Sequence, residues 1–137
     1  MNTNPQMLAD LRAHQSLCRE LLALAEREVQ ALRQDQPAAL SEIHETRKTL
    51  LPPLNDSLER IRQHRLCWQN LSAADRAAQP ETAFLIRQVQ DLIMRVILLD
   101  RENEQGMLRR GLIPAREIPA AAQARPHFVS DLYRRHA

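Results

Sequence analysis

A run of eight residues, Leu92–Leu99, most constrains how this chain can fold. It reads LIMRVILL, in which Arg95 is the single polar residue. On an α-helix these side chains point in all directions, so the run predicts a helix that is buried on nearly all sides. Helix is favoured over a short buried strand because residues 81–105 contain no glycine or proline. A membrane span needs about 20 apolar residues, so we expect no membrane insertion.

The composition predicts an all-α protein. The 137 residues include two glycines, one Trp, one Tyr and two Phe, and 44% are hydrophobic against 26% charged. Few glycines and few aromatic residues are typical of long helices joined by few tight turns. We therefore predict an elongated antiparallel helical hairpin with a third long helix packed on it, a coiled-coil-like three-helix bundle, followed by a flexible C-terminal tail.

Charge and cysteine usage narrow the class of partner. The net charge of +2 arises beyond residue 111, since acidic and basic residues balance before it, and no basic stripe interleaved with aromatic residues is present. We therefore predict no nucleic-acid partner. Two cysteines and an N-terminus without signal-peptide character predict a cytoplasmic, reduced protein. His64 and Cys67 share a helical face, but no second pair of ligands has matching spacing, so we predict no metal and no cofactor.

The first helix is predicted from Asn4-Pro5 to about Gln34. Asn4 suits the N-cap and Pro5 the first turn, where no amide hydrogen bond is lost. Asp35 and Pro37 repeat this signature for a second helix, so a tight corner is expected between them. The first helix carries a heptad seam at steps of three and four residues: Leu8, Leu11, Gln15, Cys18, Leu22, Ala25, Val29 and Leu32.

The second helix continues the seam to Leu71. An antiparallel hairpin pairs residues whose numbers add up to about 72. The predicted layers are Leu32 with Leu40, Val29 with Ile43, Ala25 with Arg47, Leu22 with Leu50, Cys18 with Leu54, Gln15 with Ser57, and Leu11 with Ile61. Small Ala25 leaves room for the stem of Arg47, whose charged head is expected to reach water.

Prolines and glycine mark the remaining boundaries. Pro52-Pro53 predicts a bend within one continuous second helix, because the seam keeps its phase across the two prolines. Residues 71–79 read as a connection with a short helical turn. A third helix is expected from about Pro80 to Arg110, and Gly111 is its stop signal. The predicted domains are a helical bundle at 1–113 and a tail at 114–137 with a short apolar segment, which either docks on the body or binds a partner.

No catalytic motif is visible, so we predict a protein that is not an enzyme. The enzyme alternative is an all-helical mutase of the chorismate type, in which Arg12, Arg47 and Lys48 would bind a dicarboxylate. The glutamine and second arginine of such a site cannot be placed. Arginine at heptad positions is more often structural.

Three segments together resemble the FlgN family of flagellar type III export chaperones, over roughly residues 8–113. The first is LLALAEREVQAL at 21–32, and the second is RKTLLPPL at 47–54. The third is LDRENEQGML at 99–108, where Asp100 replaces the first asparagine of the family's Asn-x-x-Asn pattern and Asn103 keeps the second. The resemblance implies a cytoplasmic chaperone that holds hook-filament junction (hook-associated) proteins before secretion and delivers them to the export apparatus.

The family's C-terminal helical region is implicated in holding the substrate. With the corner at residue 36, Trp68 and Leu71 are expected to overhang the first helix, and the end of the third helix should emerge beside the corner with apolar surface left over. The predicted partner-binding residues are Asn103, Met107, Leu108, Leu112, Ile113, Phe128, Leu132 and Tyr133. The alternative is a coiled-coil scaffold or dimeric adaptor, whose apolar surplus is the interface of a homodimer.

Overall fold

The computed structural model describes residues 4–111 and Tyr133, and the predicted all-α class is confirmed. The helices are α1 Pro5–Arg33, α2 Pro37–Gln69, the short α3 Ala73–Ala77, and α4 Pro80–Arg109. The third long helix of the sequence prediction is therefore α4. The predictions made for residues 112–132 and 134–137 lie outside the described residues, and so does the predicted boundary between bundle and tail.

The corner between α1 and α2 is closed by Asp35. Its backbone is left-handed, with φ 50°. The amide of Gln36 donates to Ala31 O at 2.9 Å and the amide of Asp35 donates to Leu32 O at 3.3 Å, so the last carbonyls of α1 are satisfied. The prediction that Asp35 caps α2 is wrong, because Asp35 terminates α1. Gln36 is the N-cap residue of α2.

The predicted start of α1 is confirmed. Asn4 Oδ1 accepts a hydrogen bond from the Met7 amide at 3.0 Å, and Pro5 occupies the first turn. The two prolines inside α2 leave it a single helix, as predicted. Both are exposed, whereas the following residue Leu54 is fully buried, so the seam does keep its phase.

The central helix of the bundle is α1. The backbones of α2 and α4 both pack along α1 and approach each other much less. The prediction that the Leu92–Leu99 run is buried on nearly all sides is therefore wrong. Val96 is fully buried, but Met94 and Leu98 are 55% and 54% exposed. One face of α4 packs on α1, and no further long helix among the described residues covers the other face.

The core consists of three clusters along the bundle. The cluster nearest the corner contains Leu24, Ala31, Leu32, Leu40, Ile43 and Met107. The middle cluster contains Cys18, Leu21, Leu54, Leu58, Val89, Ile93 and Val96. The cluster farthest from the corner contains Met7, Leu11 and Leu85, and Trp68 packs against it. Trp68, predicted to overhang α1, is half-buried because it packs against this cluster, and Leu71, predicted to do the same, is also half-buried.

The antiparallel register of the hairpin agrees with the prediction, but the pairing within one layer does not. The hydrogen bonds that join α1 to α2 include Glu28 with His44, His14 with Ser57, and Asp10 with His64. His14, not Gln15, is the partner of Ser57. Gln15 instead donates to Gln88 on α4. His14 and Gln15 bond different helices because α1 packs one stripe of side chains on α2 and another on α4.

Arg47 differs most from its prediction. Its side chain is only 15% exposed, so the charged head does not reach water. The guanidinium donates to both carboxylate oxygens of Asp100 on α4 and, at 3.1 Å, to Glu28 on α1. His44 also bonds Glu28, at 2.9 Å. The sequence prediction missed this cluster because the two carboxylates come from separate helices.

The exposed face of α4 can be tested with one substitution at two positions. Val96→Asp places a carboxylate in the middle cluster and should cost several kcal/mol, enough to unfold or aggregate the protein. Met94→Asp lies two residues away on the exposed face and should change the free energy of unfolding by less than about 0.5 kcal/mol. Urea denaturation of both variants measures this. Equal destabilisation would mean that the packed face is assigned incorrectly.

A second prediction concerns the buried cation. Arg47→Met removes the positive charge that faces Glu28 and Asp100 and should cost about 3–5 kcal/mol, because two buried carboxylates lose their cation. The matched control is Lys48→Ala, since Lys48 pairs only with exposed Glu45 at 3.2 Å in the described structure and should cost less than about 0.5 kcal/mol. Denaturant midpoints that agree for the two variants would contradict the assignment.

Candidate functional site

An apolar groove runs between the C-terminal half of α2 and the N-terminal half of α4. Its volume is about 490 Å³. Its floor is formed by Met7, Leu11 and His14 of α1, and its walls include Leu58 and Ile61 of α2 and Ile86, Val89 and Ile93 of α4. The groove exists because α2 and α4 each pack on α1 without closing on each other.

One wall of the groove carries positive charge. Arg62 and Arg65 of α2 line it, and both are exposed. His64 lies between them in sequence and bonds Asp10 of α1 at 2.7 Å. The corresponding polar group on the α4 wall is the neutral amide of Gln90. An occupant of the groove therefore meets apolar side chains in the interior and a basic rim on one side.

His14 is the polar group at the floor. It is 1% exposed, its Nδ1 lies 2.9 Å from Ser57 Oγ, and its Nε2 lies 2.6 Å from the hydroxyl of Tyr133. Burial, and then the nearby positive charge of Arg60, lower the pKa of His14 to about 4. The ring is therefore neutral at pH 7, with one nitrogen to donate and one to accept, and both are used.

Tyr133 lines the groove, half-buried and packed against the middle cluster. Its hydroxyl also contacts Cys18 Sγ at 3.6 Å. Burial raises the pKa of Tyr133, and burial raises the pKa of Cys18 to about 11. Both groups are protonated at neutral pH. Ser57 and Cys18 are fully buried, so the arrangement offers hydrogen bonds in an apolar site and not an accessible nucleophile.

The predicted partner-binding residues fall in three places. Asn103 is buried and donates to Ala25 O at 3.1 Å. Met107 is buried in the corner cluster, and Leu108 is half-buried. Tyr133 lies in the groove. The residues outside the described part of the chain are Leu112, Ile113, Phe128 and Leu132. Contact of any of the eight with a partner stays a prediction.

The end of α4 lies beside the corner, as predicted, with Arg110 Nε 3.4 Å from Asp35 Oδ1. The groove is at the opposite end of the bundle. Of the predicted residues in the described structure, Tyr133 alone lines the groove. Asn103 and Met107 make their contacts within the bundle, Asn103 by its hydrogen bond to Ala25 O and Met107 by packing in the corner cluster.

Neither His14 nor the groove was predicted from the sequence. A second stripe on α1, beside the seam, includes Met7, His14, Leu21, Leu24 and Ala31, all of them buried. Two stripes on one helix indicate two packed neighbours. That signal would have placed α1 at the centre of the bundle.

The cations considered for a mutase site each bond a different carboxylate. Arg12 pairs with Glu81, Arg47 with Asp100 and Glu28, and Lys48 with Glu45. Within residues 4–111 and at Tyr133, His, Cys, Asp and Glu side chains form no group of three that could hold a metal ion. None of the helices in the same part of the chain has the length and apolar character needed to cross a bilayer.

The lowered pKa of His14 predicts how the free energy of unfolding changes with pH. The pKa is about 4 in the folded state and 6.5 ordinarily, so the unfolded chain binds the proton more readily between these values. The free energy of unfolding should therefore fall as the pH drops from 6.5 toward 4, by about 3 kcal/mol from this residue. His14→Gln keeps hydrogen-bonding groups without titrating.

Thermal melts of both proteins across this pH range measure the difference. The wild type should be more stable than His14→Gln at neutral pH, and this difference in stability should narrow or reverse as the pH falls. A gap that is independent of pH would contradict the assignment of a neutral His14.

Comparison with known proteins gave no significant match to any protein-family model, curated protein or solved structure.

Proposed function

We propose that the protein is a non-enzymatic cytoplasmic export chaperone, which holds an apolar helical segment of a flagellar hook-associated protein before secretion. The observation that supports this most is the apolar groove of about 490 Å³. The resemblance of three segments to the FlgN family supplies the class of partner. The groove supplies a place where that partner can bind.

The groove suits an amphipathic helix. Its walls come from α2 and α4, which both pack on α1 but hardly on each other, so a guest helix would occupy the open position of a four-helix arrangement. Such a guest would bury its apolar face against Ile61 and Ile86, both half-buried in the free protein. The three core clusters keep the scaffold folded while the groove is open.

The charged rim favours a guest with acidic residues beside its apolar face. Arg62 and Arg65 lie on the same wall and are both exposed. Their charges would orient the guest and speed its association more than they would add affinity. A guest helix with acidic residues on one flank is therefore expected to bind with its acidic flank toward α2.

A second candidate function is a dimeric adaptor. It is favoured by three exposed apolar side chains of α4, which are Phe84, Met94 and Leu98 at 54%, 55% and 54% exposure. They project from the side of α4 that α1 does not cover. Two copies could pair through this face, and in that case the groove would play no part in partner binding.

The test is co-expression with hook-associated proteins of the same organism, followed by co-purification. Ile86→Asp places a charge on the groove wall and should lower the recovered partner at least about tenfold. Met94→Asp, at an exposed position of the same helix that does not line the groove, is the matched control and should leave recovery unchanged. Circular dichroism melts check that both variants remain folded.

Recovery that is lost with Met94→Asp and kept with Ile86→Asp would contradict the groove and favour the exposed face of α4. Leu108→Ser examines the predicted corner surface in the same assay. Light scattering of the free protein tests the adaptor function. A dimer that Leu98→Asp dissociates would favour it over the chaperone function.

A further inference from the structure

We propose that the groove is a recognition site for a tyrosine side chain, in which His14 recognises the phenol hydroxyl, and that the chain's own Tyr133 is its resident ligand. This deepens the proposed function, on which it rests for the identity of any guest. A partner segment would bind best when it presents a tyrosine in the same place.

The hydrogen bonds of His14 define the specificity. The ring is buried, and Ser57 takes one of its two nitrogens at 2.9 Å. The second nitrogen faces the groove and meets the Tyr133 hydroxyl at 2.6 Å. A buried nitrogen that loses its partner costs about 1–3 kcal/mol, so an occupant without a hydroxyl at this point is disfavoured. The site should therefore prefer tyrosine over phenylalanine.

The rest of the tyrosine side chain is recognised by apolar contact. The side chain of Tyr133 lines the same cavity as Leu58, Val89 and Ile93, and its ring centroid is 5.9 Å from that of His14 with the planes tilted by 53°. Cys18 Sγ gives the hydroxyl a second contact at 3.6 Å. A tilted ring pair and an apolar wall hold the phenol with its polar end at the floor.

Partial exposure favours exchange of Tyr133 over a fixed place in the core. Tyr133 is half-buried, in contrast to the fully buried side chains of Leu54 and Val96 in the cluster that it contacts. A guest tyrosine would compete with an occupant whose side chain stays partly exposed.

The test uses the full-length chain with Tyr133→Ala, which vacates the site, and a fluorescein-labelled peptide of residues 126–137. Fluorescence anisotropy should show that the peptide binds this variant at least about tenfold more tightly than it binds the wild-type chain, where Tyr133 competes. The same peptide with Tyr133→Phe should bind the variant about tenfold more weakly than the tyrosine peptide.

His14→Leu, combined with Tyr133→Ala in the full chain, should remove the preference, so that both peptides bind equally. Met94→Ala in the same background is the matched control and should keep it. Circular dichroism verifies the fold of each variant, and His14→Gln replaces His14→Leu if the latter unfolds, with a reduced preference expected.

Equal affinity of the tyrosine and phenylalanine peptides for the vacated site would overturn the proposal. Equal binding to the wild-type and Tyr133→Ala chains, or absence of binding to both, would overturn it as well. The assay contains no flagellar protein, so its failure is distinct from failure of the co-purification with hook-associated proteins.

Discussion

Arg47 joins the three long helices at one point, and the rest of the architecture depends on that junction. Its guanidinium reaches Glu28 of α1 and Asp100 of α4, whose side chains are 2% and 1% exposed. A displaced register would bury these carboxylates without a cation, which is strongly unfavourable. The cluster therefore selects one alignment of the helices and holds the corner half of the bundle together. The other half is left with a gap between α2 and α4.

That gap has a polar floor because α1 places His14 in it. Burial disfavours the charged form of the His14 ring, so the ring is neutral. The neutral ring has one donor and one acceptor in fixed directions, and this makes it selective for the group that it bonds. Ser57 satisfies one of them from within the bundle. The groove thus combines a large apolar contact area with a single directional hydrogen bond, a common design of sites that bind a side chain selectively.

The helix bounds could be predicted because their signals are local. Asn4-Pro5, Gly111 and the phase of the seam around Leu54 depend on neighbouring residues alone. The central position of α1 and the pairing of Arg47 could not be predicted, because a seam identifies a packed face but not its partner. Asp100 lies 53 residues from Arg47, and no spacing rule connects the two. The candidate site was missed for the same reason, since three helices and Tyr133 contribute to it.

The exposed Pro52-Pro53 step in α2 has a mechanical consequence. Two successive residues lack amide hydrogens, so the backbone ladder of α2 is interrupted between the half held by Arg47 and the half that forms the groove wall. The helix continues through this step with two fewer backbone hydrogen bonds. Bending there disrupts less of the hydrogen-bond ladder than bending elsewhere in α2, so a groove wall that adapts to occupants of different girth would bend at this step and leave the alignment around Arg47 unchanged.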